Sequence, residues 1–428
     1  MKLLVFPSQI CGTAEVPGSK SHTIRGVLAS ILADGESILH SPLQSADTES
    51  ALNAAVKMGA EFSTGADGSW HIKGNGRKTP SVKDVIDLGN SGTSLRLLTA
   101  AAGTFDTAIT FDGDESLRTR PMQPLIDALQ MLGVEISGTN GKAPVRVKGP
   151  MQGGKCHVSG VSSQYLSALL FAAPLAPQKT IITLDFLNEK PYVEMTLKWL
   201  DMLGIKYSAS EDWLRFEIDG NQQYRAFEKT VPADFSTSLF VLGAALQSGK
   251  NDGVEIKNLD FSDSQGDKEV FRFFEQAGAK IEYGKNVHIA AEQNLKGGEF
   301  DLNNVPDALP IFSAVAAGMQ GQTTACLNVP QARLKETDRI ECMTKELRKM
   351  NADVEELADG MILHGRQLCG SEELESYGDH RIAMALAVAA LNADSPSIIN
   401  DIECAAVTYP DFVRQFQILG ADFKLIEK

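Results

Sequence analysis

The sequence lacks the residue patterns that hold metal ions or disulfide bonds. Its six cysteines are scattered, and no two of them form a Cys-x-x-Cys pair. The seven histidines form no cluster at metal-ligand spacing. The cysteines are therefore predicted to be reduced, partly buried thiols of a cytoplasmic protein, and neither a metal nor a cofactor is expected.

Long apolar runs and an excess of positive charge are missing as well. The first apolar run is stopped by Pro7, which makes it too short for a signal peptide, and no later run approaches membrane-spanning length. Lysine and arginine number 40 against 55 aspartates and glutamates, a net charge of −15. This balance disfavours nucleic acid and anionic membranes as main partners. With 428 residues, 43% of them hydrophobic, the chain predicts a globular protein of two or three domains.

A sixfold internal repeat runs through the whole sequence. Helices that open on polar residues and continue as small or apolar runs are predicted to begin, 71 to 73 residues apart, near Ser19, Asn90, Ser162, Asp234, Asp307 and Asp379. Amphipathic helices lie between them, and each is followed by a residue type that tolerates the left-handed position after a helix: Gly59, Gly133, Gly204, Gly278, Asn351 and Gly420. Each repeat reads as strand, helix, strand, helix and a pair of strands, which predicts an α/β fold.

The helices of the first series are apolar nearly all round. Residues 166–173 and 382–391 are examples. Such helices must be buried on most sides, and we expect them to lie inside a shell made by the sheets. The first strand precedes the first of these helices, so it is expected to pair with the C-terminal half of the chain.

Polar and charged residues gather at the openings of these helices. In the first half, Lys20, Ser21 and Arg25 stand at a helix N-terminus, an arrangement that attracts anions. Gly92 has no side chain to obstruct an anion that approaches the backbone N–H groups around it. Further donors in the same half are Asn90, Arg118, Arg120, Ser162, Ser163 and Gln164.

The second half repeats this pattern. Its polar residues at or near helix openings are Asp307, Lys335, Glu336, Arg339, Asp379, His380 and Arg381. Lys335 and Arg339 lie four residues apart, on one face of any helix that includes both. Each group alone is also typical of a helix cap or a surface ion pair. Their recurrence at equivalent positions of a repeat favours a site for small anions.

These motifs resemble, in order and spacing, the successive motifs of the 5-enolpyruvylshikimate-3-phosphate (EPSP) synthases, which are enolpyruvyl transferases. The resemblance covers essentially the whole chain, and Leu-Lys-Glu-Thr-Asp-Arg at 334–339 is a specific signal. It is carried by residues 17–21, 89–93, 120–121, 162–164, 306–307, 335–339, 379–381 and 409–411.

The resemblance implies a two-domain enolpyruvyl transferase fold. This fold is an inside-out α/β barrel of six βαβαββ units, three in each domain. One domain would combine residues 1–18 with 231–428, and the other would hold residues 19–230. The active site would lie in the cleft between the domains. A cytoplasmic monomer is expected, with two small-molecule substrates as its partners.

The implied reaction transfers the enolpyruvyl group of phosphoenolpyruvate to the 5-hydroxyl of shikimate-3-phosphate, with release of phosphate. It needs a cationic cradle, a base for the hydroxyl and an acid–base group for the vinyl carbon. The resemblance gives catalytic roles to Lys20, Asp307 and Glu336. It places phosphoenolpyruvate on Lys20, Asn90, Gly92, Arg120, Gln164, Arg339 and Arg381. It places shikimate-3-phosphate on Lys20, Ser21, Arg25, Ser162, Ser163, Gln164, Tyr192, Asp307, Gln331 and Lys335.

Three positions depart from the family's pattern. Glu189 stands where many members have a serine near the sugar phosphate, and a carboxylate there would repel a phosphate. We therefore expect its side chain to turn outward or to pair with a basic neighbour such as Lys190. Val407 stands where some members have a lysine, and Gln331 replaces a frequent asparagine. These changes leave the reaction type intact and bear on the choice of acceptor.

Other interpretations stay open at this point. A diverged enolpyruvyl transferase that acts on another cyclic alcohol fits the same motifs. The UDP-N-acetylglucosamine enolpyruvyl transferases share the architecture, but they usually have Lys-Asn in the first motif and a cysteine in the loop that here spans 113–120 without one. A kinase-type phosphate-binding loop fails on the spacing of Gly12 and Gly18. A non-catalytic anion-binding module would need neither Asp307 nor Glu336.

Overall fold

Helices begin where the repeat predicts them. The computed structural model describes residues 1–427 except 77, 79 and 292. The first series, which we call the central helices, comprises α1 (Lys20–Leu32), α3 (Gly92–Ala102), α5 (Ser163–Ala172), α7 (Phe235–Ser248), α9 (Leu309–Ala317) and α11 (His380–Leu391). The second series comprises α2 (Ala46–Lys57), α4 (Gln123–Met131), α6 (Lys190–Met202), α8 (Glu269–Gln276), α10 (Arg339–Lys349) and α12 (Phe412–Leu419).

Polar residues cap most of the central helices, and the residues that follow the second-series helices adopt the left-handed conformation that the sequence predicts. Side chains cap four of the central helices, through Ser91, Ser162, Asp234 and Asp379. The opening at Asp307 differs, because a 3₁₀ turn (Pro306–Ala308) precedes α9 and carries this residue. All six residues predicted to end the second-series helices have positive φ, between +64° and +107°. The predicted left-handed position is therefore confirmed at each of them.

The chain divides into two units. Unit 1 consists of Met1–Pro17 with Ala233–Lys428, and unit 2 is Gly18–Pro232. In unit 1, α7, α9 and α11 pack against one another, and every residue of α11 is buried. In unit 2, α3 packs against both α1 and α5. The apolar helices thus form the interior of each unit, as their composition requires.

The strands of unit 2 form three sheets of one design within the described residues. The first contains β3 (Ala33–His40), β4 (Glu61–Thr64), β5 (Trp70–Asn75), β14 (Tyr224–Arg225) and β15 (Glu228–Thr230). The second contains β6 (Ile86–Asp87), β7 (Ile109–Asp112), β8 (Glu135–Thr139) and β9 (Lys142–Lys148). The third contains β10 (Gly154–His157), β11 (Thr180–Thr183), β12 (Tyr207–Ala209) and β13 (Arg215–Ile218). Each contains parallel and antiparallel pairs of strands.

Unit 1 has two sheets with parallel and antiparallel pairs and a third in which both pairings are antiparallel, and strands from the start of the chain complete two of the three. One contains β2 (Ile10–Ala14), β16 (Gly249–Ile256), β17 (Ile281–Tyr283) and β18 (Val287–Ile289). The next contains β19 (Glu299–Asp301), β20 (Thr323–Leu327), β21 (Asp353–Leu357) and β22 (Gly360–His364). The last has β1 (Lys2–Phe6) between β23 (Ser397–Asn400) and β24 (Asp422–Ile426). The predicted pairing of the first strand with the C-terminal half is confirmed.

Among the described helices, none combines the length and the apolar character that crossing a membrane requires.

Candidate active site

In unit 1, the openings of three central helices meet around one carboxylate, Asp307. Arg339 Nη1 donates to Asp307 Oδ1 at 2.8 Å, and Arg381 Nη2 lies 3.0 Å from Oδ2. Lys335 Nζ lies 3.7 Å from Oδ1. Arg381, in the first turn of α11, also donates to the hydroxyl of Ser236 in the first turn of α7. Three cations therefore face a carboxylate that is only 18% exposed.

These cations control the ionisation of Asp307. Burial raises the pKa of a carboxyl, but Arg381, Lys335 and Arg339 outweigh burial and hold the pKa of Asp307 well below its usual range. Asp307 is therefore a carboxylate at neutral pH. It is a weak base while the cations face it.

Arg339 is buried among carboxylates at the start of α10. Its guanidinium lies 2.8 Å from Asp379, 2.6 Å from Glu336 and 2.8 Å from Asp307. Burial lowers the pKa of an arginine, but Asp379, Glu336 and Asp307 more than compensate and raise the pKa of Arg339 above its usual value. Asp379 also accepts the backbone N–H of Arg381 at 2.9 Å. One buried carboxylate thus positions both arginines of the cluster.

Two further predicted positions lie in 3₁₀ turns of unit 1. Gln331, in the turn Pro330–Leu334, is buried, and its Nε2 donates to the carbonyl of Asn303 at 2.8 Å. Val407 ends the turn Ile402–Val407 and is half-buried. A valine there supplies no charge for a ligand.

In unit 2, the cations at the start of α1 are held by protein groups. Lys20 Nζ lies 3.1 Å from the buried carboxylate of Asp47. Arg25 is 2% exposed, and it donates to the hydroxyl of Thr196 and to the carbonyls of Ser21 and Tyr192 at 3.0–3.1 Å. Burial lowers the pKa of Arg25 to about 10. Arg25 therefore ties α1 to α6.

A chain of contacts positions Arg120 beside Gly92. Arg120 donates to the side-chain oxygen of Asn90, whose Nδ2 donates to Asp114 at 2.8 Å. A Cβ atom added to Gly92 would lie 2.8 Å from Arg120 Nη1 and 3.3 Å from Arg96 Nη1. Glycine is therefore needed here to let two guanidinium groups approach the first turn of α3.

Arg96, which was not among the predicted site residues, joins α3 to α5. Its guanidinium donates to Gln164 Oε1 and lies 5.4 Å from the ring centre of Tyr165. Gln164 Nε2 donates in turn to the hydroxyl of Thr93 at 3.0 Å. Arg96 follows Gly92 by four residues on one helix, so helical spacing was the signal that could have identified it.

The prediction that Glu189 turns outward is wrong, and its pairing with a basic neighbour stays a prediction. Its side chain is 2% exposed rather than turned outward, and its Oε2 accepts from the backbone N–H of Ser163 at 3.1 Å and from the Ser163 hydroxyl at 2.7 Å. Ser162 caps the same helix by accepting the N–H of Gln164. The physical reason lies in the free N–H groups at the start of α5, which stabilise a carboxylate as they stabilise any anion.

The predicted site residues fall into two groups. Unit 1 holds Asp307, Gln331, Lys335, Glu336, Arg339 and Arg381, and unit 2 holds the others. The described residues contain no group of three or more His, Cys, Asp or Glu placed to hold a metal ion. Each group contains fixed cations and N–H donors at helix openings. Such groups are suited to bind anionic ligands.

A model of one protein family, described as EPSP synthase (3-phosphoshikimate 1-carboxyvinyltransferase), matches residues 6–416. This chain belongs to the EPSP synthase family.

Curated members of the EPSP synthase family align with the full length of the chain. The 3-phosphoshikimate 1-carboxyvinyltransferases of Acetivibrio thermocellus and Ruminiclostridium cellulolyticum are 45% and 43% identical to it, and each match covers 100% of both chains. That of Methanocorpusculum labreanum is 40% identical over 99% of this chain and 100% of its own.

Solved structures of EPSP synthases have the same fold. The enzyme from Acinetobacter baumannii superposes with a TM-score of 0.82 at 25% identity, over 100% of both chains. The predicted α/β enolpyruvyl transferase fold is thereby confirmed. The other interpretations of the sequence are not favoured by these matches.

Proposed function

We propose that this chain transfers the enolpyruvyl group of phosphoenolpyruvate to the 5-hydroxyl of shikimate-3-phosphate, a step of aromatic biosynthesis. A proton is added to the methylene carbon of phosphoenolpyruvate while the hydroxyl oxygen bonds to the central carbon. Phosphate then leaves as a proton is removed from the new methyl group. The products are 5-enolpyruvylshikimate-3-phosphate and inorganic phosphate. The observation that carries the proposal is the Asp307 cluster, within a chain that matches the family from residue 6 to 416.

We assign the anionic groups of phosphoenolpyruvate to cations of both units. Arg339 and Arg381 would bind it from unit 1, and Lys20 and Arg120 from unit 2, with Gly92 leaving space beside Arg120. The planar fork of arginine can hold a carboxylate or a phosphate through two hydrogen bonds.

We assign proton transfer to the two carboxylates of the Asp307 cluster. When phosphoenolpyruvate takes up hydrogen bonds of Arg339 and Arg381, the pKa of Asp307 rises toward its usual range. Asp307 then becomes able to accept the proton of the acceptor's hydroxyl. Glu336, which lies 2.6 Å from Arg339, would exchange the proton at the vinyl carbon.

The remaining unit 2 residues would hold the acceptor. Ser162, Ser163 and Tyr192 would take the phosphate of shikimate-3-phosphate, and Ser21 and Arg25 its carboxylate. We also expect a cytoplasmic monomer, with no partner beyond its substrates.

Phosphate release tests the proposal directly. Wild-type protein with phosphoenolpyruvate and shikimate-3-phosphate should release phosphate at a rate that saturates in both substrates. Shikimate without its phosphate serves as the matched control acceptor. No release with shikimate-3-phosphate, together with turnover of shikimate or another cyclic alcohol, would overturn the proposed acceptor.

A further inference from the structure

We propose that Glu189 is an internal competitor for the phosphate of the acceptor, and so determines how tightly the enzyme binds a phosphorylated substrate. The inference rests on the proposed function, because it deepens the role assigned there to Ser163. The carboxylate of Glu189 already contacts the donors that the phosphate would need.

The first support is the position of the carboxylate. Glu189 Oε2 accepts both the backbone N–H and the hydroxyl of Ser163, the first residue of α5. A helix of ten residues offers free N–H groups and a positive dipole end at this point. A carboxylate oxygen with two such donors takes the place that an oxygen of a phosphate monoester would occupy.

The second support is the backbone that holds Glu189 in place. Residue 189 has φ +57° and ψ +39°, a left-handed conformation that is unfavourable for a residue other than glycine. The N–H of Asn188 donates to the carbonyl of Gly160, and a Cβ atom at Gly160 would lie 1.7 Å from the carbonyl oxygen of Phe186. Close packing of two backbone segments therefore directs Glu189 toward Ser163.

The consequence concerns the charge at this position. A phosphate and a carboxylate cannot share the Ser163 donors, because two anions in contact in a buried setting repel each other strongly. Shikimate-3-phosphate must therefore displace the Glu189 carboxylate from Ser163 when it binds. Part of the binding free energy is spent on that displacement, so the wild-type protein binds this acceptor more weakly than its donors would allow.

The test compares two variants at residue 189, the residue before α6, with a matched variant within α6. Glu189→Gln keeps the shape and removes the charge, and Glu189→Ser removes the competing group altogether. Glu194→Gln makes the same chemical change at an exposed position of α6 and serves as the control. Calorimetric titration with shikimate-3-phosphate, and competition by inorganic phosphate, report on the Ser163 donors without any need for turnover.

We expect both Glu189 variants to bind shikimate-3-phosphate about tenfold more tightly than wild type, and inorganic phosphate to compete correspondingly better. The KM for phosphoenolpyruvate should stay unchanged, and Glu194→Gln should match wild type in every measurement. Unchanged or weaker acceptor binding in a folded Glu189→Gln or Glu189→Ser protein would overturn the inference. Failure of the proposed function looks different, since wild type and all variants would then release no phosphate from phosphoenolpyruvate when shikimate-3-phosphate is the acceptor.

Discussion

Arg339 and Asp379 form a two-point ion pair from which solvent is almost completely excluded. Arg339 Nε lies 2.8 Å from Asp379 Oδ2, and Nη2 lies 3.3 Å from Oδ1. The two side chains are 1% and 0% exposed. A buried pair of this kind keeps an arginine in one orientation. It also makes the stability of the fold depend strongly on the partner carboxylate.

Asp379→Asn should therefore destabilise the protein markedly. The variant keeps the size and the acceptor for the N–H of Arg381, but it leaves the buried charge of Arg339 with one carboxylate fewer. We expect a loss of about 3 kcal/mol in the free energy of unfolding, measured with urea. Glu61→Gln, which removes a carboxylate from the exposed pair with Lys73, should cost less than about 1 kcal/mol. Equal losses in the two variants would contradict this account.

Gly92→Ala should damage binding of phosphoenolpyruvate and leave the fold intact. The added methyl meets the flexible end of Arg120 at 2.8 Å, so the guanidinium moves while the backbone stays. Loss of one charge-assisted contact predicts a KM for phosphoenolpyruvate higher by about tenfold or more. Gly160→Ala is the contrasting variant, because its methyl meets the backbone carbonyl of Phe186 and should lower the melting temperature. An unchanged KM for phosphoenolpyruvate in Gly92→Ala would show that Arg120 does not bind this substrate.

Asp114→Asn should affect the position of Arg120 through the side chain of Asn90. Asp114 accepts from Asn90 Nδ2, and an asparagine can present an NH2 group at that point and turn the Asn90 amide over. Arg120 would then lose the Asn90 oxygen as an acceptor, and we expect a several-fold higher KM for phosphoenolpyruvate with little change in melting temperature. Asp112→Asn, which breaks only the pair with the exposed Arg118, should leave the KM as it is.

Glu336→Gln should separate binding from turnover. The amide keeps the shape of the side chain and cannot exchange a proton, so both substrates should bind while kcat falls by about a hundredfold or more. Glu341→Gln makes the same change at a half-exposed residue of α10, the helix that begins three residues after Glu336, and this variant should keep a normal kcat. Equilibrium binding and steady-state kinetics on the same samples decide the matter. Near-normal kcat in Glu336→Gln would remove it from proton transfer.

His40 should make the stability of the protein depend on pH. The hydrogen bond to Glu228, with Asp67 on its other side, raises the pKa of His40 above its ordinary value of 6.5. A raised pKa means that the folded protein gains stability from the charged imidazole at pH values below 6.5, and that this gain disappears as pH rises through the raised pKa. Urea unfolding should show that His40→Gln loses stability against wild type at about pH 6 and little at about pH 9. A loss that is the same at both values would contradict the prediction.

The helix boundaries were predictable because their signals are local. A polar side chain that caps its own helix, as Asp234 does, depends on a few neighbouring residues, and so does the left-handed turn at Asn351. The repeat also predicted the spacing of these signals along the chain. The pairing of Leu3 with Ile399 and Leu425 could be anticipated only in outline, because it joins residues that are distant in sequence.

The site was predictable at the level of residue type, and its contacts were not. Asp307 and Arg339 are close in the structure although neither position reveals the distance between them. Glu189 illustrates the limit best. Whether its carboxylate faces solvent or Ser163 depends on the left-handed backbone at residue 189 and on the approach of residue 160 to residue 186, and no local pattern encodes that approach.

Unit 2 is one continuous stretch of the chain, and the two segments of unit 1 lie before and after it in sequence. This order has a consequence for synthesis on the ribosome. Unit 2 has all of its strands once Pro232 has been added, since β14 and β15 complete its first sheet. Strands β1 and β2 are made before unit 2, and β1 can pair only after residues 397–426 have emerged. Unit 2 is thus able to fold early, while two apolar strands of unit 1 remain without their sheets for most of translation. That interval is when the nascent chain is most exposed to aggregation.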